Sequence, residues 1–352
     1  MTPTFLINAT EMVSNYLDNY NIWCDYQSFY KGINRIKVTH SDNGIPCYHY
    51  SKISKINQDI SPLIAIDCMT EGLHSQQAFK QYNNKSQYLI FSNGWWDTTK
   101  VSLPIDYELI HHYFFLFEWA DTSFSPNRFC FYFDKAYDFD KVKPCEFVCL
   151  IGNQRPERDF LIETLSNTIT YNNFILRYGG QDLKIPYDAD VIDVKPGEFN
   201  PYTNIIDKYY FTIGKTLPID LYNQGNFLLV VESDLDYSDE FFLTEKTIKA
   251  LITGTPFVLA ATPFFLKHLH KLGFKTYNNF WDESYDEITD FRTRMQAIAK
   301  LCNDLGQFDW KANQERLRLI QLENVNNFFN LNKQAEEKFI MFEEIIKKVG
   351  NL

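Results

Sequence analysis

The segment NFLLVVESDLDYSDEFFLTEKTIKALITGTPFVLA (residues 226–260) holds the residues best spaced for chemistry. An apolar, strand-like run ends at Glu232, a loop follows, and Thr244-Glu245-Lys246 opens a helical pattern that leads through Gly254 into a second apolar run. Thr244 is a good N-cap residue. Ligands of open α/β sheets bind beyond the carboxyl ends of strands, and a helix start placed there offers unpaired N–H groups and a positive dipole end to an anion. Lys246 adds a full charge in the first turn, a position that opposes the dipole unless an anion pairs with it. Glu245 beside it can accept hydrogen bonds from sugar or ribose hydroxyls. For an arbitrary Thr-Glu-Lys the plainer alternative is a solvated helical turn. The strand–loop–helix–Gly–strand context favours an anion site.

Positioning such residues requires an α/β framework, and the pattern of the chain supplies one. PLIAID (62–67), QYLIFSN (87–93), YFFLFE (113–118) and RFCFYFD (128–134) are apolar on consecutive positions, as parallel strands covered on both faces are. Between them PIDYELIHH (104–112) reads as a short helix, and the charged FDKAYDFDKVKPC (133–145) as a linker. A second series follows: strand 146–152, helix 158–169, strands 174–180 and 226–233, helix 244–252, strand 255–260 and helix 262–274. Beyond Asp282 the pattern is helical over 283–305, 309–330 and 333–349. Alternating strand and helix predicts the α/β class. The expected domains are 1–143, 144–305 and a helical tail over 306–352.

Bulk properties narrow the partners. The charge balance, 34 − 45 = −11, disfavours a protein that coats nucleic acid, which needs a basic face. The seven cysteines are dispersed with no Cys-x-x-Cys pair, which suits reduced thiols rather than a disulfide framework or structural metal. No run approaches the roughly 18–20 apolar residues of a membrane helix, and the first residues lack the pattern of a signal peptide. A cytoplasmic setting, in a bacterium or a virus-infected host cell, is the expectation.

The Glu232, Phe242-Leu243-Thr244-Glu245-Lys246 and Gly254-Thr255-Pro256 series resembles the donor-site signature of the α1,3-fucosyltransferase family and of related phage and bacterial glycosyltransferases. Upstream, FVCLIGNQRPERDFLIETL (147–165), and Tyr178-Gly179-Gly180 after the next strand, are similar to the same family, over roughly residues 146–290. The resemblance implies two facing Rossmann-like domains (the GT-B type) with C-terminal helices, the donor on the second and the acceptor on the first. It implies inverting transfer of fucose or another hexose from a GDP- or UDP-linked donor to a glycan. Asn153, Glu232, Phe242, Thr244, Glu245 and Lys246 would serve the donor, with an arginine on the diphosphate. Arg158, directly before the helical run, is the best counterpart and Arg155 the rival. A guanidinium suits this task because its planar fork meets phosphate oxygens bidentately.

Inverting transfer needs a carboxylate base, and Glu118, Asp121 and Asp97 are the candidates from the first half. Trp95, Trp96 and Trp119 suit either sugar stacking or core packing. Asp-x-Asp occurs at 138–140, 188–190 and 234–236, and such a pair can hold a divalent cation. Only the third lies near the donor loop, and Lys246 with Arg158 would neutralise a diphosphate without metal, so no cofactor is expected. The rival readings are a phage-type transferase acting on nucleic-acid bases and a non-catalytic carbohydrate-binding protein of the same fold.

Overall fold

The computed structural model describes residues 22–24, 45–49, 63–68, 85–92, 95–96, 99, 103–111, 136–152, 154–179, 181–184, 219–236, 240–328 and 330. The expected strands over 113–118 and 128–134 and the helix over 333–349 lie outside them. The chain divides into two compact units. One holds residues 1–124, 239–243 and 330–352, the other 125–238 and 244–329.

In the first unit β1 (Ile22–Cys24), β2 (Ile45–His49), β3 (Leu63–Cys68), β4 (Gln87–Ser92) and β6 (Tyr107–His111) form a parallel sheet in the order β1-β2-β3-β4-β6. A further short strand, β5, spans Trp95–Trp96. The helix expected over 104–112 is therefore a strand, β6, paired in register with β4. Tyr107 and Ile110 are β-formers that gain a full ladder on the edge of β4.

The second unit is built on β7 (Cys145–Ile151), β8 (Ile175–Tyr178), β9 (Gln181–Lys184), β10 (Gly225–Val231) and β12 (Phe257–Ala260). Their order is β12-β10-β7-β8-β9, with four parallel strands and β9 antiparallel at the edge. β7, β10 and β12 are buried almost throughout, which is why CEFVCLI, GNFLLVV and FVLA read as near-continuous apolar runs. In sequence β8 and β9 lie on one side of β7, and β10 and β12 on the other. In an open α/β sheet this order places a topological switch point between β7 and β10.

The helices carry recognisable stops and starts. α1 (Pro156–Thr168) begins with Pro at its first position and Glu157 and Asp159 in its first turn, and buries Arg158, Leu161 and Leu165. α2 is a single turn, Ile219–Tyr222. α3 (Glu245–Thr253) ends at Gly254, whose φ of 65° is left-handed. α4 spans Phe265–Lys271. The helix expected from 283 is split into a 3-10 turn, Ser284–Glu287, and α5, Phe291–Leu305. Asp290 causes the break by capping α5 through the Thr293 N–H. Asp286 is used elsewhere, accepting from Leu266 N at 3.0 Å at the start of α4. α6 covers 310–328. Among the described residues no helix is long and apolar enough to cross a membrane.

Two expected boundaries differ. The stretch expected as a linker is bound into the second unit from Tyr137 onward: Tyr137 donates through its N–H to Thr253 O at 2.9 Å and through its hydroxyl to Gly225 O at 2.9 Å. The expected tail is divided, because α6 docks onto the second unit. Gln321 donates to Tyr137 O and Thr253 O, and Asn324 and Asn327 donate to Lys275 O and Leu272 O. The chain also enters the first unit briefly at 239–243, where β11 (Glu240–Phe241) pairs antiparallel with β5.

Candidate functional site

The carboxyl end of β10 is organised by Glu232, which is 1% exposed. Its carboxylate accepts from the hydroxyls of Thr244 and Thr247, both at 2.5 Å, and from the N–H groups of Thr244 (3.4 Å) and Thr247 (3.3 Å). Ser233 N donates to it as well. Burial pushes the Glu232 carboxyl above its ordinary range, and Lys246 and the two threonine hydroxyls offset part of that rise. Glu232 thus fixes the strand end to the start of α3 and faces the protein.

Two of the N–H groups expected to be free at this helix start are already taken. Thr247 N is taken by Glu232, and Lys246 N donates to the Thr244 hydroxyl as Thr244 caps the helix. With these donors spent internally, an anion here relies mainly on side chains.

Two cationic heads supply that capacity. Lys246 Nζ lies 3.2 Å from Ser233 Oγ, 3.2 Å from Thr244 Oγ1 and 3.1 Å from Glu245 Oε1, with its side chain 26% exposed. Arg155, the N-cap residue of α1, donates from Nη1 to Ser233 O at 3.1 Å and approaches Asp234 Oδ1 at 3.8 Å. Its side chain is 42% exposed. The two heads therefore flank one residue, Ser233, at the switch point. Arg158 differs from its rival: it is 3% exposed and donates from Nη2 to Glu232 O at 3.0 Å. Burial, then the neighbouring Arg155, pulls its guanidinium below the ordinary value. Both arginines converge on the Glu232–Asp234 turn, but Arg155 is the one presented to solvent.

Glu245 is held between cations. Desolvation alone would raise its carboxyl, yet Lys246 and Lys249 outweigh it and hold the group below its usual range. Burial in turn pulls the Lys249 ammonium down to about 8, against the pull of Glu245. Phe242 is buried and belongs to the first unit. Tyr178 donates to Asp159 and accepts from Arg155 N at 3.2 Å, which ties the end of β8 to the first turn of α1. Asn153, Asp97, Glu118 and Asp121 lie outside the described residues, as do Asp188 and Asp190. Asp234, half of the Asp-x-Asp pair near the donor loop, is engaged by Arg155.

Ser233, Thr247 and Lys249 belong to this arrangement without having been singled out by sequence. The spacing of Thr247 three residues after the cap was a usable signal, because that position places a side chain back over the helix start. No protein-family model, curated protein or solved structure matches this chain.

Proposed function

We propose that the chain is a glycosyltransferase whose second unit binds the diphosphate of a GDP- or UDP-linked sugar at the carboxyl ends of β7 and β10. The observation that carries the reading is the pairing of Lys246 and Arg155 around Ser233 at the switch point of an open α/β sheet. A ligand charged on adjacent phosphates is what two cations flanking one turn suit best, and Arg155 adds a planar fork. In this reading the two units are facing Rossmann-like domains of the GT-B type, and the first carries the glycan acceptor.

The reaction is an inverting displacement. An acceptor hydroxyl attacks the anomeric carbon while a carboxylate of the first unit (Glu118, Asp121 or Asp97) takes its proton. The bond from that carbon to the diphosphate oxygen breaks, and the electron pair leaves with the nucleotide. Lys246 and Arg155 stabilise the charge that grows there, so they act more strongly on the transition state than on the ground state. Arg158 and Glu232 position the turn that holds them. No metal is required, and the setting is cytoplasmic.

A thermal-shift panel of nucleotides and nucleotide sugars tests this directly, because a ligand specific for the folded state raises the melting temperature by mass action. GDP- or UDP-sugars should stabilise the protein, whereas adenosine and nucleoside controls should not. Stabilisation by none of them overturns the proposal.

A further inference from the structure

Arg294, on α5, is 1% exposed and ranks among the largest fully buried side chains of the described residues. A buried guanidinium needs partners for all its donors, and here they are four backbone carbonyls from three separate segments. Nε donates to Ala261 O at 3.1 Å, just past β12. Nη1 donates to Ile288 O at 2.6 Å and Thr289 O at 3.3 Å, in the turn before α5. Nη2 donates to Leu235 O. Asp236, Asp286 and Asp290 supply the surrounding negative charge.

Leu235 is the residue that makes this more than a core contact. It directly follows Ser233 and Asp234, which meet Lys246 and Arg155. The turn is held at its start by the Arg158 bond to Glu232 O and by the Glu232 bonds to α3. At its far side Leu235 O is held by Arg294, and the chain passes to the other unit at residue 239. The turn is therefore clamped at both ends by buried arginines while its middle meets the exposed cations.

We infer that Arg294 is a positioning residue of the diphosphate site, setting the path of residues 233–235 and so the separation of Lys246 and Arg155. This inference rests on the proposed donor site. Lysine at 294 keeps the charge but can reach fewer of the four carbonyls, so the turn relaxes without loss of the cation. The loss should fall on ligands that need both cations at once.

Calorimetric titration of the full chain with UDP, UMP, GDP and GMP tests it, alongside thermal melting of each variant. In Arg294→Lys the affinity for the diphosphate that binds the wild type should fall roughly 10- to 100-fold, as expected when one charge-assisted hydrogen bond to the ligand is lost. The affinity for the matching monophosphate should stay within about twofold, so the ratio of the two collapses. An unchanged ratio in a folded variant overturns the positioning role and leaves the donor site standing. Wild-type protein that binds neither diphosphate overturns the donor site and this inference with it. Arg294→Gln serves as the second variant. Should neither variant melt cooperatively, Arg294 holds the fold rather than the site, and the inference fails.

Discussion

Glu232→Ala should unfasten the start of α3. The substitution leaves the N–H groups of Thr244 and Thr247 and both threonine hydroxyls without their acceptor at a site that is 1% exposed. The hydroxyls can rotate toward other acceptors, but the backbone donors are fixed. Each buried donor left unsatisfied costs roughly 1–3 kcal/mol, which gives about 2–6 kcal/mol for the pair. Against this stands relief of burying a carboxylate whose affinity for its proton is already raised by desolvation. The net loss should be about 2–4 kcal/mol, in the lower part of that range. Glu232→Gln keeps one carbonyl oxygen for the threonines and should lose only about 1–2 kcal/mol. Urea unfolding followed by tryptophan fluorescence and circular dichroism measures both. A loss under about 1 kcal/mol in Glu232→Ala would refute the reasoning, since the donors would then have found other partners.

Three further outcomes are expected. Gly254→Ala places a Cβ 1.9 Å from Gln321 Cγ at a φ of +65°, and Gln321 is tied to Tyr137 O and Thr253 O. The combined strain and lost bonds should cost about 2–4 kcal/mol in the same urea assay, and a change within about 0.5 kcal/mol contradicts the packing described. Burial pushes the Glu283 carboxyl up to about 7, despite bonds from Thr276 and Tyr277. Between about pH 4.3 and 7 the unfolded chain releases this proton before the folded one does, so stability falls as pH rises and levels off above 7. The total fall amounts to at most about 4 kcal/mol, and Glu283→Gln should reduce it, leaving a smaller fall from Asp286, which burial raises to about 6. A wild-type stability that climbs through that range contradicts the assignment. Finally, EDTA should leave sugar transfer unchanged, because Arg155 already engages Asp234; activity abolished by EDTA and restored by Mn²⁺ would make Asp234 and Asp236 the leading ligands.

The second unit could be read closely from its sequence because its strands are buried on both faces and its helices announce their ends. Thr244 caps, Gly254 stops, and CEFVCLI, NFLLVV and FVLA are near-continuous apolar runs. β9 was missed although its signal was present. Tyr178 pairs with Gln181, and Gly179 after the strand has a left-handed φ of 60°, as a glycine at a tight turn does. Over 104–112 the short mixed pattern around Tyr107, Leu109 and Ile110 does not distinguish the strand β6 from a helix by period. For the site, charge and position pointed to Lys246 and to one of two arginines, but burial separates Arg155 from Arg158, and burial depends on how α1 rolls against the sheet. The role of Glu232 as a cap was equally hidden, because the donors it serves lie twelve and fifteen residues away. Arg294 bonds to carbonyls, which carry no side-chain signature at all.

Calorimetric titration of the donor nucleotide into wild-type protein, Lys246→Ala and Arg155→Ala, paired with product formation from the cognate sugar, tests the central claim most directly. Each variant should melt within about 1 kcal/mol of the wild type, since both side chains are partly exposed. Each should bind the nucleoside diphosphate more weakly, and Lys246→Ala should lose roughly 2–4 kcal/mol in kcat/KM, as for one removed charge-stabilising donor. Normal binding and normal turnover in Lys246→Ala would contradict the account.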